Sequence, residues 1–178
     1  GAMIEHRGVV NYIEWAIKQY VKEGKENGFA FHSSIGFDLT VTSIYVPLLS
    51  GNRIIAIKTH DVGEILEQIE SDDRIGLVKI TPTHLKMMNE SALAGKNIHG
   101  MILGGENLTG EVCRKIENKY NNRVSIYNEY GPTETVVGCM IHEYIEEKDK
   151  INVWIGKLPG NFPLFMQPGR PKLFLPCF

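Results

Sequence analysis

Seven consecutive residues, Asn128 to Glu134, combine side chains that suit nucleotide chemistry. The segment holds an aromatic ring, a Gly-Pro turn, a hydroxyl and two carboxylates. A ring can stack on a base, a hydroxyl can contact a phosphate, and a carboxylate can hold Mg²⁺ through its oxygens. Residues 123–127 before it are typical of a strand, and ligands bind beyond strand ends in open α/β sheets. The segment therefore favours a nucleotide site over a plain tight turn with a half-buried tyrosine.

Further residues that could do chemistry lie near or just after the ends of other predicted strands. They are Asp38, Lys79 and the run Gly104-Gly105-Glu106. Right-handed crossovers place the ends of parallel strands along one edge of a sheet. The sequence therefore predicts one crevice that contains acids, an amine, exposed backbone and an aromatic ring. A flavodoxin-like scaffold with scattered surface polar residues is the alternative.

Lys79 stands out because it interrupts an apolar strand, 75–80, that is expected to be buried on both faces. A buried ammonium group is unfavourable unless it is paired. A bound substrate or the carboxylate of Glu129 would supply the partner. Alternatively, Lys79 lies on an edge strand and extends its ammonium group to water.

Several familiar motifs are missing from the sequence. The six histidines show no ligand spacing, no cysteine pair fits a zinc site, and no serine lies in a nucleophile elbow. There is neither a Walker A loop nor a dinucleotide glycine fingerprint. A nucleotide site in this chain would therefore lack a phosphate loop of its own.

The composition is that of an ordinary soluble globular protein, with 178 residues, 43% hydrophobic, 22% charged and a net charge of −2. The absence of a basic surplus argues against nucleic acid and anionic membranes as partners. No apolar run approaches the roughly 20 residues that span a bilayer. The three scattered cysteines favour free thiols in a reducing compartment, so we expect a cytoplasmic protein.

Apolar periodicity and turn residues predict alternating strands and helices. The fold class that follows is α/β, with a parallel sheet and helices on both faces. Asp38, Asp61 and Thr109 are the expected helix caps, with Glu64 completing a capping box at Asp61. The predicted strands are 29–31, 53–57, 75–80, 101–103, 124–127 and 136–141, and the predicted helices are 8–23, 38–49, 61–69, a segment from Pro82, and 109–120. No element is predicted after Gly156.

The same segments resemble a known family. Residues 128–134 look like the core motif of adenylate-forming, or AMP-binding, enzymes, and residues 37–40 resemble their upstream Phe-Asp motif. Residues 155–157 resemble the start of a later motif, and residues 3–11 look like the segment that follows the family's phosphate loop. The combination is most similar to adenylation domains of nonribosomal peptide synthetases, over about residues 3–157. The resemblance implies the flavodoxin-like subdomain of such a domain.

The family activates an amino acid with ATP and Mg²⁺ to aminoacyl-AMP and pyrophosphate, and then transfers the acyl group to a carrier-protein thiol. The resemblance implies that Asp38 pairs with the substrate's α-ammonium group and that Tyr130 stacks on adenine. Thr133 would contact the α-phosphate and Glu134 would hold Mg²⁺, and these two form the implied catalytic set. The implied cofactor-binding residues are Gly105, Glu129, Tyr130, Gly131 and Thr133.

The family's pocket positions also suggest a substrate. They fall on Asp38, Leu39, Thr42, Lys79, Ile102, Gly104, Glu129, Val137 and Gly138. In this set Lys79 is a donor and Glu129 an acceptor, which matches the oxygen and the NH₂ group of a carboxamide. Aspartate offers no donor at neutral pH, and its charge would face Glu129. The resemblance therefore implies L-asparagine, with glutamine as the near competitor.

Parts of the family pattern are missing. The phosphate loop is expected before Met3, and a small C-terminal domain with a catalytic lysine is expected after the core. The chain is thus expected to comprise a partial core subdomain, 1–157, and an atypical tail, 158–178, rich in proline and phenylalanine. We expect little adenylation by the chain alone, with the other adenylation subdomains and a carrier protein as partners. The alternatives are a non-catalytic ligand-binding or scaffold subdomain, or a flavin-binding or receiver-like protein; the lack of an acidic cluster after the first strand argues against a receiver.

Overall fold

The structure is a computed structural model that describes residues 2–88 and 94–156. Its strands are β1 (Gly28–Phe31), β2 (Ile54–Ala56), β3 (Ile75–Ile80), β4 (Gly100–Gly104), β5 (Ser125–Tyr130) and β6 (Met140–Glu143). Its helices are α1 (His6–Tyr20), α2 (Leu39–Leu49), α3 (Val62–Ser71), α4 (Pro82–Lys86) and α5 (Gly110–Tyr120), with a 3₁₀ turn at Thr133–Thr135. The alternation of strands and helices confirms the predicted α/β class.

The strands form one six-stranded sheet in the order β2-β1-β3-β4-β5-β6. The first five strands are mutually parallel, whereas β6 runs antiparallel to β5. The predicted strand 136–141 is wrong at its start, because Val136 and Val137 have φ angles of 64° and 53°. β-branched residues rarely adopt this left-handed conformation. The chain therefore turns at these residues and reaches strand geometry only at Met140.

Helices cover both faces of the sheet, as predicted. One face packs against α1 and α2 in a cluster that includes Ile13, Val46 and Leu77. The other face packs against α3 and α5 in a cluster that includes Ile69 and Ile116. Because β3 and β4 are covered on both sides, their side chains are buried along the whole strand.

The predicted caps are confirmed only in part. The Asp61 carboxylate accepts the backbone N–H of Glu64 at 3.0 Å, as expected. The reciprocal half of the box is wrong, because the Glu64 carboxylate instead accepts the Thr59 hydroxyl at 2.6 Å. Asp38 and Thr109 precede their helices without a side-chain capping bond. The Asp38 carboxylate and the Thr109 hydroxyl therefore do not stabilise the starts of their helices by capping.

Two further expectations concern the C-terminal tail and membrane-spanning segments. The tail 158–178 lies outside the described residues, so its atypical character stays a prediction. Among the described residues, no helix combines the length and the apolar character needed to cross a bilayer.

Candidate functional site

The register of the central strands places the predicted pocket residues on one face of the sheet. Lys79 of β3 lies beside Ile102 of β4, and Ile102 lies beside Tyr127 of β5. Gly104 lies beside Glu129 in the same ladder. Residues two apart in a strand point to the same side, so all five share one face. It is the face that α1 and α2 cover.

Lys79 and Glu129 form a buried ion pair on this face. The Lys79 Nζ atom lies 3.0 Å from Glu129 Oε1, and the two side chains are 3% and 1% exposed. The edge-strand alternative for Lys79 is wrong, because β3 lies between β1 and β4. The predicted partner of the buried ammonium group is therefore present within the protein itself.

Two hydroxyl groups close a ring of hydrogen bonds around this ion pair. Lys79 Nζ donates to Thr42 Oγ1 at 2.9 Å, and Tyr12 Oη donates to Glu129 Oε1 at 2.8 Å. Tyr12 Oη and Thr42 Oγ1 lie 2.5 Å apart. Since the single phenol proton serves Glu129, the Thr42 hydroxyl must donate to Tyr12. Burial and the charge of Glu129 raise the pKa of Tyr12, so its phenol stays a neutral donor.

The second oxygen of Glu129 has a different partner. Tyr20 Oη donates to Glu129 Oε2 at 2.6 Å, and both side chains are buried. Burial, followed by the nearby charge of Glu129, raises the pKa of Tyr20 well above its usual value. Both carboxylate oxygens are thus held by donors, which is what makes a buried negative charge tolerable.

Asp38 lies at the edge of this network. It is half-buried, immediately before α2, and makes no capping bond with the helix. Its charge is close enough to contribute, as the smallest of several causes, to the raised pKa of Tyr12. Leu39, the next residue, is also half-buried, whereas Thr42 one turn later is fully buried. The start of α2 therefore places Asp38 beside the network without joining it.

Two glycines leave space for Glu129, one at its carboxylate and one at its backbone oxygen. A Cβ atom on Gly138 would lie 2.0 Å from Glu129 Oε1. A Cβ atom on Gly104 would lie 2.8 Å from the backbone oxygen of Glu129. Val137, next to Gly138, is buried against the cluster beneath α1. The two glycines that the resemblance assigns to pocket positions therefore also meet a steric requirement beside Glu129.

The residues implied for nucleotide binding lie at the ends of the same strands. Tyr130 ends β5 and is 37% exposed, whereas Glu129 beside it is buried. Thr133 and Glu134 are exposed on the 3₁₀ turn. Gly105 follows β4 with a φ angle of 82°, a conformation that glycine adopts readily. The ring, the hydroxyl and the carboxylate are accessible to a ligand, as a nucleotide site requires.

Gly131 has a packing role in this segment. A Cβ atom there would lie 2.6 Å from the backbone oxygen of Val137. The close approach lets the chain fold back from the 3₁₀ turn to β6. Gly131 therefore shapes the loop that carries Thr133 and Glu134.

Sequence reasoning missed two members of the ion-pair network. Tyr12 and Tyr20 both fall in the predicted helix 8–23, and neither is among the predicted pocket residues. The signal available was a pair of tyrosines on the buried face of α1, since a buried phenol hydroxyl requires a hydrogen-bond partner. Only the fold shows that this partner is Glu129, more than 100 residues later in the chain.

Metal-binding clusters and cysteine thiols are the other candidates for chemistry in the described part of the chain. Residues 2–88 and 94–156 contain no group of three or more histidine, cysteine, aspartate or glutamate side chains that could hold a metal ion. Cys113 and Cys139 are buried free thiols. Burial raises the pKa of Cys113 to about 12, so it is not a reactive nucleophile.

A sequence model of the AMP-binding enzyme family matches residues 1–161. The chain belongs to the AMP-binding enzyme family. It is 45% identical to bacitracin synthase 3 of Bacillus licheniformis over 97% of its own length and 3% of the synthase. It is 49% identical to tyrocidine synthase 3 of Brevibacillus parabrevis over 81% of its length and 2% of that synthase. The chain therefore corresponds to a small section of these much larger relatives.

A solved structure shares the fold. The Vibrio cholerae adenylation domain AlmE, in complex with glycyl-adenosine-5'-phosphate, superposes with a TM-score of 0.76 at 18% identity. The match covers 88% of this chain and 30% of AlmE. This AMP-binding family member thus has the α/β subdomain fold that occurs within adenylation domains.

Proposed function

We propose that this chain supplies the amino-acid pocket of a nonribosomal peptide synthetase adenylation domain. In that reaction ATP and an amino acid give aminoacyl-AMP and pyrophosphate, and the acyl group then passes to a carrier-protein thiol. The observation that carries the proposal is the buried Lys79–Glu129 pair, because Glu129 directly precedes Tyr130, whose ring is accessible. Similarity to bacitracin and tyrocidine synthases supports the reaction class.

We infer L-asparagine as the amino acid. Its side-chain carboxamide has an acceptor oxygen and a donor NH₂ group, which complement an ammonium group and a carboxylate. Aspartate would bring a second negative charge towards Glu129 without a hydrogen to donate. A site built on buried polar partners rejects such a mismatched analogue strongly. Glutamine is the competitor, and Leu39 and Ile102 are the residues that would shorten the pocket against it.

The geometry refines how the carboxamide would be bound. At 3.0 Å, Lys79 Nζ and Glu129 Oε1 are in direct contact, so no group fits between them. The carboxamide would instead lie alongside the intact pair. The weakest Lys79 contact, to Tyr12 Oη at 3.3 Å, marks the N–H group that could turn to the carboxamide oxygen. Glu129 Oε2 accepts from Tyr20 and retains a second acceptor site for the NH₂ group.

The remaining roles follow the exposed strand ends. Asp38 would hold the substrate's α-ammonium group, and Tyr130 would stack on adenine with Gly105 beside it. Thr133 would bind the α-phosphate. Glu134 would supply one oxygen ligand to Mg²⁺, which typically takes one or two carboxylates plus substrate phosphates. When bound, the ion would neutralise phosphate charge, and the protein's contribution would be positioning.

The same inference extends to the surroundings of the chain. The partners would be the other subdomains of the adenylation domain and a carrier protein. We place the reaction in the cytoplasm, where ATP is available and Cys113 and Cys139 remain thiols. Neither nucleic acid nor a membrane is required as a partner.

ATP–pyrophosphate exchange tests the substrate assignment. A complete adenylation domain that contains these residues should exchange fastest with L-asparagine in a panel of the twenty amino acids. In that domain, Glu129→Gln should lower the preference for asparagine over aspartate by at least tenfold, because the variant removes the repelling charge. An unchanged ratio would exclude Glu129 from substrate selection, and a different preferred amino acid would refute asparagine.

The alternative function is a non-catalytic ligand-binding or scaffold subdomain. We expect little or no pyrophosphate exchange from the 178-residue chain alone, and robust exchange would contradict this. Calorimetry with asparagine and AMP separates the two functions. Asparagine binding without turnover supports a pocket-bearing section of an enzyme, whereas the lack of any binding heat supports a scaffold.

A further inference from the structure

We propose that Tyr20 is a positioning residue that sets amino-acid selection by fixing the orientation of the Glu129 carboxylate. The proposal rests on the function proposed above and assigns a role to a residue outside the predicted pocket set. Tyr20 ends α1 and would not need to touch the substrate. Its effect would pass through one hydrogen bond to one carboxylate oxygen.

The two oxygens of Glu129 are held unequally. Oε1 accepts from both Lys79 and Tyr12 and lies against the backbone of Gly138. Among the described contacts, Oε2 accepts only from Tyr20. The Tyr20 bond is also the shortest that Glu129 makes, at 2.6 Å. Rotation of the carboxylate is therefore resisted at Oε2 by Tyr20 alone.

The Tyr20 ring is itself held firmly. It packs edge-on against Trp15 with ring centroids 5.6 Å apart, and against Tyr127 at 5.2 Å. Its side chain is completely buried. A side chain locked by packing is what an orienting residue requires, since a loose one would not transmit a fixed geometry.

The consequence concerns the acceptor that the carboxamide NH₂ would use. Oε2 is the oxygen with remaining acceptor capacity, so its direction determines where a donor must lie. Without the Tyr20 hydroxyl, the carboxylate could rotate and no longer match the Lys79 donor in a single arrangement. The binding of a carboxamide would weaken, and the rejection of other side chains would relax.

The test uses a complete adenylation domain with Tyr20→Phe, which removes only the hydroxyl. The matched control is Tyr120→Phe, because Tyr120 Oη also donates to a glutamate, Glu70, at 3.3 Å on the opposite face of the sheet. In Tyr20→Phe, the KM for asparagine should rise about tenfold, as expected for a lost hydrogen bond to a charged group. The kcat value should change less than twofold. The kcat/KM for asparagine divided by the kcat/KM for aspartate should fall about tenfold. Tyr120→Phe should leave KM and the ratio within twofold of wild type.

A second pair of variants keeps the test decisive if Tyr20→Phe folds poorly. Genetic incorporation of 4-aminophenylalanine at position 20 retains a donor on the ring, and 4-methylphenylalanine has similar bulk without one. The amino variant should recover most of the wild-type ratio, and the methyl variant should not. Equal behaviour of the two, or an unchanged KM and ratio in Tyr20→Phe, would overturn the proposal.

The wild-type amino-acid panel separates this proposal from the proposed function. If the wild type prefers another amino acid, the asparagine assignment fails. The effect of Tyr20→Phe on the KM of that preferred amino acid then still tests positioning. If asparagine is preferred but Tyr20→Phe changes neither the KM for asparagine nor the preference over aspartate, only the positioning role fails.

Discussion

Replacement of Lys79 by methionine should destabilise the chain far more than an ordinary surface substitution. The change removes the ammonium group but keeps an unbranched side chain that extends as far as Cε. It leaves the Glu129 carboxylate buried with only the hydroxyls of Tyr12 and Tyr20 as partners. Removal of one partner from a buried ion pair leaves an uncompensated charge.

The magnitude follows from the geometry of the pair. At 3.0 Å, the attraction of two unit charges is about 5.5 kcal/mol for an effective dielectric constant of about 20. Measured losses on breaking such buried pairs are about 3–5 kcal/mol. We therefore expect Lys79→Met to lower the free energy of unfolding by about 3–5 kcal/mol. This is a large part of the total stability of a domain, which is about 5–15 kcal/mol.

Urea unfolding of the 178-residue chain, followed by circular dichroism, measures this loss. The control is Arg53→Met, which removes an exposed pair with Glu26 at the same 3.0 Å distance. Exposed pairs contribute about 0–1 kcal/mol, so the control should change little. The double variant Lys79→Met with Glu129→Gln should be at least about 2 kcal/mol more stable than the sum of the single losses predicts.

Two results would refute this reasoning. A loss in Lys79→Met no larger than that in Arg53→Met would show that the pair is not desolvated. Strictly additive losses in the double variant would show that the two side chains do not interact. Either outcome would also remove the structural basis for the proposal that Lys79 and Glu129 recognise a carboxamide.

Three further predictions concern the site and its surroundings. Gly138→Ala should abolish pyrophosphate exchange by a complete domain, since the new Cβ would lie 2.0 Å from the Glu129 carboxylate; activity near that of wild type would contradict the geometry. Cys113 should resist iodoacetamide at pH 8.5 until the chain unfolds, as peptide mass spectrometry would show, because burial raises its thiol pKa to about 12. Burial lowers the pKa of His32 and of His99 below the unfolded value of about 6.5. The unfolded state then binds more protons, so the free energy of unfolding should fall as pH drops from about 7 to about 5.5, and replacement of both histidines by glutamine should flatten this slope in urea titrations at stepped pH.

The sequence was sufficient to predict the alternation of strands and helices and the proximity of Lys79 to Glu129. Period and turn residues are local signals, and the right-handed crossover rule converts them into a shared sheet edge. Lys79 was recognisable because an ammonium group in an apolar strand demands a partner. That partner, Glu129, was one of the two that the sequence suggested.

Other features depended on contacts that no local pattern encodes. The chain turns through left-handed conformations at Val136 and Val137 and then enters β6 antiparallel to β5. Two β-branched residues in a sequence do not predict such a turn. The phenols of Tyr12 and Tyr20 reach Glu129 across the packing of α1 on the sheet. The sequence left open whether Glu129 or a bound substrate pairs with Lys79, and only the fold shows the direct contact with Glu129. The sequence suggested a carboxamide between two charges, whereas the fold places the charges together.

The most direct test of the account is a crystal structure of a complete adenylation domain containing these residues, bound to a non-hydrolysable asparaginyl-adenylate analogue. The account predicts the carboxamide oxygen within hydrogen-bond distance of Lys79 Nζ and the NH₂ group within the same reach of Glu129 Oε2, with the ion pair and the Tyr20 bond intact. A carboxamide bound away from both side chains, or an ion pair separated to admit it, would contradict the account.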